Sequence, residues 1–175
     1  MVSSSQVLHA LSARAKRAVL TAPKPRDWFE LAAVTVLVGA VAVPLGLKTG
    51  LLHYEPRSAR TIAISALIVI FIPALGEELP FRGLMIPDRS ETKRALWPIL
   101  ISTALFTGWH VFETLWQPKE RALFLRPDFL AWAAWLGLWC AILRRRSGSI
   151  WPGVILHWAT VVGWIGWLGG PGFGD

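Results

Sequence analysis

The chain has 175 residues, of which 54% are hydrophobic, with a formal charge of +7 and 11 Trp. A soluble domain of this size would leave too much apolar surface in water, so composition excludes an ordinary soluble enzyme and points to an integral membrane protein. The positive charge does not imply a nucleic-acid partner, because the basic residues sit in short loops between apolar segments, where they anchor a membrane protein.

Residues 1–27 form a basic segment with no acidic residue before Asp27. Val7, Leu8, Leu11, Ala15, Ala18 and Val19 share one face at helical spacing. Two readings stay open there: an interfacial helix on an anionic leaflet, or a frayed basic tail. No apolar core precedes a cleavage site, so a signal peptide is not expected. Five apolar segments follow within residues 28–170, about Trp28–Leu47, Arg60–Leu79, Leu96–Trp116, Phe129–Leu143 and Ile150–Leu168. Four have the roughly 20 residues a spanning helix needs. The fourth is short and spans if Arg144, Arg145 and Arg146 reach out to the headgroups. Punctuation agrees with these limits: Pro98 and Pro152 fall near first turns, Asp128 is placed to cap the fourth segment, and Gly169-Gly170 ends the fifth. The expectation is an all-α, polytopic transmembrane bundle of about five spanning helices, with a short tail at 171–175. The lone Cys140 reads as a small packed hydrophobe. With the N-terminus in the cytoplasm, eleven basic residues lie inside and six outside, which sets that orientation.

The chemistry sits where charge interrupts the apolar runs. Ile62–Leu75 carries no charge, and then comes Gly76-Glu77-Glu78-Leu79-Pro80-Phe81-Arg82. Two carboxylates at membrane depth need a partner or a wet cavity. Glu78 and Arg82 are spaced i,i+4 and can pair. Glu77 lies about 100° round the helix and points elsewhere. Pro80 is expected to kink the helix near Gly76. His110 and His157 are the other ionisable groups within apolar segments, and Glu113 lies three residues past His110, placed either to orient that imidazole or to face an outer loop. His9 and His53 fall in polar segments and read as bystanders. A constant helical rise puts Glu77 and His157 near the cytoplasmic side and His110 about 10 Å deeper.

These residues carry a resemblance. EExxxR (Glu77, Glu78, Arg82), FxxxH (Phe106 to His110) and a late histidine preceded by Gly148-Ser149-Ile150-Trp151-Pro152 resemble the CAAX-protease and bacteriocin-processing (Abi) family of intramembrane glutamic-type endopeptidases. The likeness covers about residues 60–169. It implies Glu77 as general base on a water, His110 holding that water, His157 stabilising the oxyanion, Arg82 fixing Glu78, and Phe106 shaping the site. It implies no cofactor or metal, a membrane-associated peptide or protein as substrate, membrane lipid as surroundings, and a bacterial inner membrane as location. The chain departs from the family at Val161, where an asparagine often supplies a second oxyanion donor; Thr160 and Trp164 lie nearby in sequence. Two alternatives stand beside this reading. One is metal-dependent hydrolysis using the two Glu and two His as ligands, though HExxH spacing is missing. The other is a non-catalytic membrane adaptor or self-immunity protein on the same scaffold.

Overall fold

The computed structural model describes residues 3–172 apart from 118 and 120. The described residues form an all-helical bundle without a strand element: α1 (Ser4–Leu20), α2 (Pro25–Thr49), α3 (Ala59–Val69), α4 (Gly76–Glu78), α5 (Leu96–Glu113), α6 (Arg121–Phe124), α7 (Pro127–Ser147) and α8 (Trp151–Trp167). Two stretches, Pro25–Thr49 and Ala59–Leu84, are long and apolar enough to cross a membrane. The other three expected segments correspond to α5, α7 and α8, so a five-span bundle is compatible with the helices observed. Phe29, Val36, Leu67 and Ile72 are each about 70–80% exposed. Large apolar side chains turned outward in such density mark faces that meet hydrocarbon.

The centre of the bundle is where α2, α7 and α8 meet. Leu31, Val34 and Val38 of α2 pack on Leu136, Cys140 and Leu143 of α7 and Leu156 of α8. The i, i+3, i+4, i+7 spacing puts each set on one helix face. Val69 of α3 packs on Val162 and Ile165 of α8. The α2–α3 loop lies along the end of α8, where Glu55 N–H donates to the Trp167 carbonyl at 2.9 Å.

Three expectations change. The break in the second segment is at Ile72 (φ −135°, ψ 112°), ahead of the bend expected near Gly76. Ile72 precedes Pro73, and the residue before proline is sterically driven out of the α region. Pro80 instead lies in the first turn of a π-helical stretch, Leu79–Leu84. The fourth segment is longer than expected, because α7 runs through the three arginines to Ser147. All three arginines lie against other parts of the protein. Arg144 is fully buried, Arg145 donates to the Pro87 carbonyl at 3.0 Å and the Thr92 carbonyl at 2.5 Å, and Arg146 pairs with Glu30. Finally, Asp128 lies inside the first turn of α7, with Arg126 as the cap residue.

The N-terminal segment is a docked helix. Ser3 and Gln6 close a capping box at its start. Ala18 is fully buried, its carbonyl accepting from Ile150 N–H at 2.9 Å. The Val19 carbonyl accepts from the Trp151 indole at 2.9 Å. Arg14 donates to the Leu84 carbonyl at 2.8 Å and pairs with Glu91 at 2.7 Å. So α1 touches both the end of the segment that carries Glu77 to Arg82 and the start of the helix that carries His157.

Candidate active site

Four polar groups are buried together. Glu78 and Arg82 are fully buried, His157 is 2% exposed and Glu77 8%. Arg82 Nη1 lies 3.2 Å from Glu78 Oε1. His157 Nδ1 lies 3.2 Å from the same oxygen. His157 Nε2, on the far side of the ring, lies 3.8 Å from Glu77 Oε2. The order Arg82–Glu78–His157–Glu77 therefore runs unbroken across the site. Buried charges persist only when paired in this way.

Small residues let the helices close on this row. A Cβ on Gly153 would lie 3.0 Å from Glu78 Oε2, so the first turn of α8 approaches the carboxylate without a side chain between them. A Cβ on Gly137 would lie 2.7 Å from Arg82 Nη2 and 2.8 Å from Phe106 Cδ1. Arg82 Cζ sits over the Phe106 ring, 4.1 Å from its centroid, an attractive placement for a guanidinium. Ser102 Oγ donates to the Phe81 carbonyl at 2.7 Å and ties α5 to the carboxylate-bearing stretch.

His110 is half-buried on α5 and donates from Nδ1 to the Phe106 carbonyl at 3.0 Å. A carbonyl only accepts, so Nδ1 carries the proton and Nε2 is left with a lone pair. Phe106 touches both imidazoles, with ring centroids 4.9 Å from His110 and 5.7 Å from His157. Both histidines line a cavity of about 50 Å³ together with Thr160, Val161 and Trp164. The depth mismatch expected for His110 is absent. That expectation took a constant rise through the second segment, which the break at Ile72 and the wider π-helical turns do not have.

One side chain left open by sequence enters the site, and one was missed. Glu113 offers a carboxylate oxygen, Glu77 another and His110 a ring nitrogen, all within 4.8 Å of one another. Trp109 lies beside both Glu77 and Glu113, and its indole N–H makes no hydrogen bond of good geometry. The i,i+3 spacing of His110 and Glu113 was the available signal; the missing information was the depth of α5. Two hydrogen bonds of about 2.8 Å to one water span about 4.6 Å, so the grouping suits a shared water. The same three groups could hold a metal ion; of the four ligands in the metal reading, Glu77 and His110 belong to this group, while Glu78 stands beside Arg82 and His157. Phe106 forms the wall between Arg82 and the two histidines. A larger apolar groove of about 320 Å³ between α2 and α7, lined by Val41, Leu45 and Trp135, shares Trp132 with the site cavity.

Residues 59–163 match the model of a protein family described as type II CAAX prenyl endopeptidase Rce1-like. No curated protein and no solved structure matches the chain.

Proposed function

The chain belongs to the type II CAAX prenyl endopeptidase Rce1-like family, a family of membrane proteases, and on that premise we propose that it cuts peptide bonds inside the membrane with a water activated by Glu77. The observation that carries the reading is Glu77 itself. It is buried, one of its oxygens has no hydrogen bond, and it stands between His157 at 3.8 Å and His110 within 4.8 Å.

Glu77 takes a proton from the water as the oxygen attacks the substrate carbonyl. His110 accepts the water's second hydrogen at Nε2, the nitrogen its own backbone bond leaves free. This fixes the attacking lone pair and replaces a bimolecular encounter with a held geometry. His157 presents Nε2 to the carbonyl oxygen as charge develops there. Glu78 accepts at Nδ1 and stabilises the positive ring, and Arg82 holds Glu78 in place. A preorganised donor at that oxygen contributes about 3 kcal/mol. The cytoplasmic N-terminus is part of the same reading. A prenylated substrate is supported by the apolar groove that meets the site cavity at Trp132. The substrate is itself membrane-associated, which agrees with outward apolar faces on the helices around the site.

A second reading, a non-catalytic adaptor, is favoured by Val161, which lines the cavity beside His157 and offers no donor. One experiment separates the two. Peptide termini are compared in membranes from cells carrying the wild-type protein, the Glu77→Gln variant or a deletion. Termini found only with wild type are expected under the protease reading. Identical termini in all three would sink it and leave the adaptor.

A further inference from the structure

We infer that Glu113 is a second catalytic carboxyl group, sharing one proton with Glu77 and delivering it to the substrate carbonyl oxygen while Glu77 deprotonates the water. The inference rests on the proposed role of Glu77 and adds a partner to it.

The geometry comes from α5. Glu113 ends that helix, half-buried, on the face of His110. Its carboxylate lies within 4.8 Å of both Glu77 and His110. Gln117 Nε2 donates to Glu113 Oε1 at 3.3 Å, which helps to fix the carboxylate. The charges facing this pair are few. Glu78 and Arg82, on the same segment as Glu77, neutralise each other at 3.2 Å. His157, from α8, is 3.8 Å from Glu77 and bonded on its other side to Glu78. His110, on Glu113's own helix, already spends its proton on a backbone carbonyl. No cation touches Glu113 to balance a second negative charge among the described residues. Two carboxyl groups within 4.8 Å of one another, with no cation on Glu113 to offset a second negative charge, disfavour double ionisation, so the pair keeps one proton, as paired carboxylates in acid proteases do.

The step balances. The water oxygen bonds to the carbonyl carbon and the C=O π bond opens. Glu77 takes the water proton, and the Glu113 carboxyl proton goes to the former carbonyl oxygen, giving a neutral gem-diol. The C–N bond then breaks. The departing amine takes the proton from Glu77, and one gem-diol hydroxyl returns its proton to Glu113. Glu77 ends ionised and Glu113 protonated, as at the start. A proton delivered to the oxygen also answers the departure at Val161: an oxygen that is protonated needs no second amide donor.

The test uses the full-length protein in detergent with a prenylated peptide ending in a CAAX sequence as probe, or any substrate found by the comparison of termini. Glu113→Gln keeps the shape and the Gln117 contact but removes the acid. Its kcat is expected to fall by about 100-fold or more with KM unchanged. Glu113→Asp keeps the acid and is expected to stay within about tenfold of wild type. Adding Val161→Asn to Glu113→Gln supplies a neutral donor beside His157 and is expected to recover at least about tenfold, part of the roughly 100-fold that one fully preorganised oxyanion donor is worth. Equal kcat for Glu113→Gln and Glu113→Asp overturns the inference, whether both are active or both are dead. If Glu113→Gln is active while Glu77→Gln is dead, the dyad alone falls. If both Gln variants cleave normally, the reading of Glu77 falls with it.

Discussion

Gly137→Ala adds one methyl group at the back of the site, and its effects can be worked from distances. The new Cβ would stand 2.7 Å from Arg82 Nη2 and 2.8 Å from Phe106 Cδ1, where ordinary contact begins at 3.4 Å. Arg82 and Phe106 must each retreat by about 0.6–0.7 Å. Neither is free to do so. Arg82 is pinned between Glu78 and the Phe106 ring, and Phe106 is packed on both imidazoles. Overpacking of this kind costs about 1–3 kcal/mol. Replacing glycine inside a helix returns up to about 1 kcal/mol, so the net loss is about 1 kcal/mol. Gly163→Ala, in α8, is the control, because nothing lies within 4 Å of its Cβ; it gains the helical term alone. The two variants should differ by about 2 kcal/mol, or about 4–8 °C in Tm for a chain of this size. A displacement near 1 Å costs about 100-fold in rate, so Gly137→Ala should lose at least about tenfold in kcat while Gly163→Ala does not. Thermal unfolding in detergent and the cleavage assay give both numbers. A Gly137→Ala protein as stable and active as Gly163→Ala would refute the packing argument and the role given to the Arg82–Phe106 wall.

Other outcomes follow from buried and half-buried charge. Arg82→Met leaves the Glu78 carboxylate fully buried without its cation, which costs about 3–5 kcal/mol. The double variant Glu78→Gln/Arg82→Met should regain most of the unfolding midpoint yet remain inactive; recovered cleavage would show that Glu78 does not hold His157 for catalysis. A pH effect is expected at the α1 dock. Burial raises Asp88 and Glu91, but hydrogen bonds from Ser90 to Asp88 and from Arg14 to Glu91 outweigh it and hold both below the usual carboxylate range. A lowered folded value means that the stabilisation is fully present above the unfolded value, near pH 4, and is lost as pH falls through the folded one. Spin-label distances between α1 and α8 should thus be constant from pH 8 to pH 5 and lengthen only in stronger acid. Lengthening at pH 6 would contradict the assignment.

The five apolar segments were legible because each is a long run bounded by proline, glycine or charge, and an all-α bundle followed directly. The Glu78–Arg82 pair was legible for a related reason: charge inside an apolar run has few partners, and i,i+4 spacing names one. What sequence hid was vertical position. Pro73 breaks the second segment at Ile72, a place where the apolar pattern continues unaltered, and the π-helical turns that follow shorten the rise. Glu113 was therefore visible as His110's neighbour but not as Glu77's. Arg144 misled for the opposite reason. Three arginines after an apolar run look like a headgroup anchor, and only the tertiary placement of the Met85–Ala95 connection, with Asp88 and Glu91, reveals that Arg144 is enclosed by protein.

The hold of α1 on the bundle also fixes an order of events in biosynthesis. Its last turn leaves the ribosome well before α8 is made, because the indole that the Val19 carbonyl accepts from belongs to a residue 132 positions later. The Ala18 carbonyl likewise waits for Ile150. A nascent chain that has already inserted Glu77, Glu78 and His110 still has neither His157 nor the α8 half of the seat for α1. A helix made early is thus among the last to be secured, and its loss would remove contacts from both elements that carry the row, the end of the Glu77–Arg82 segment and the start of α8.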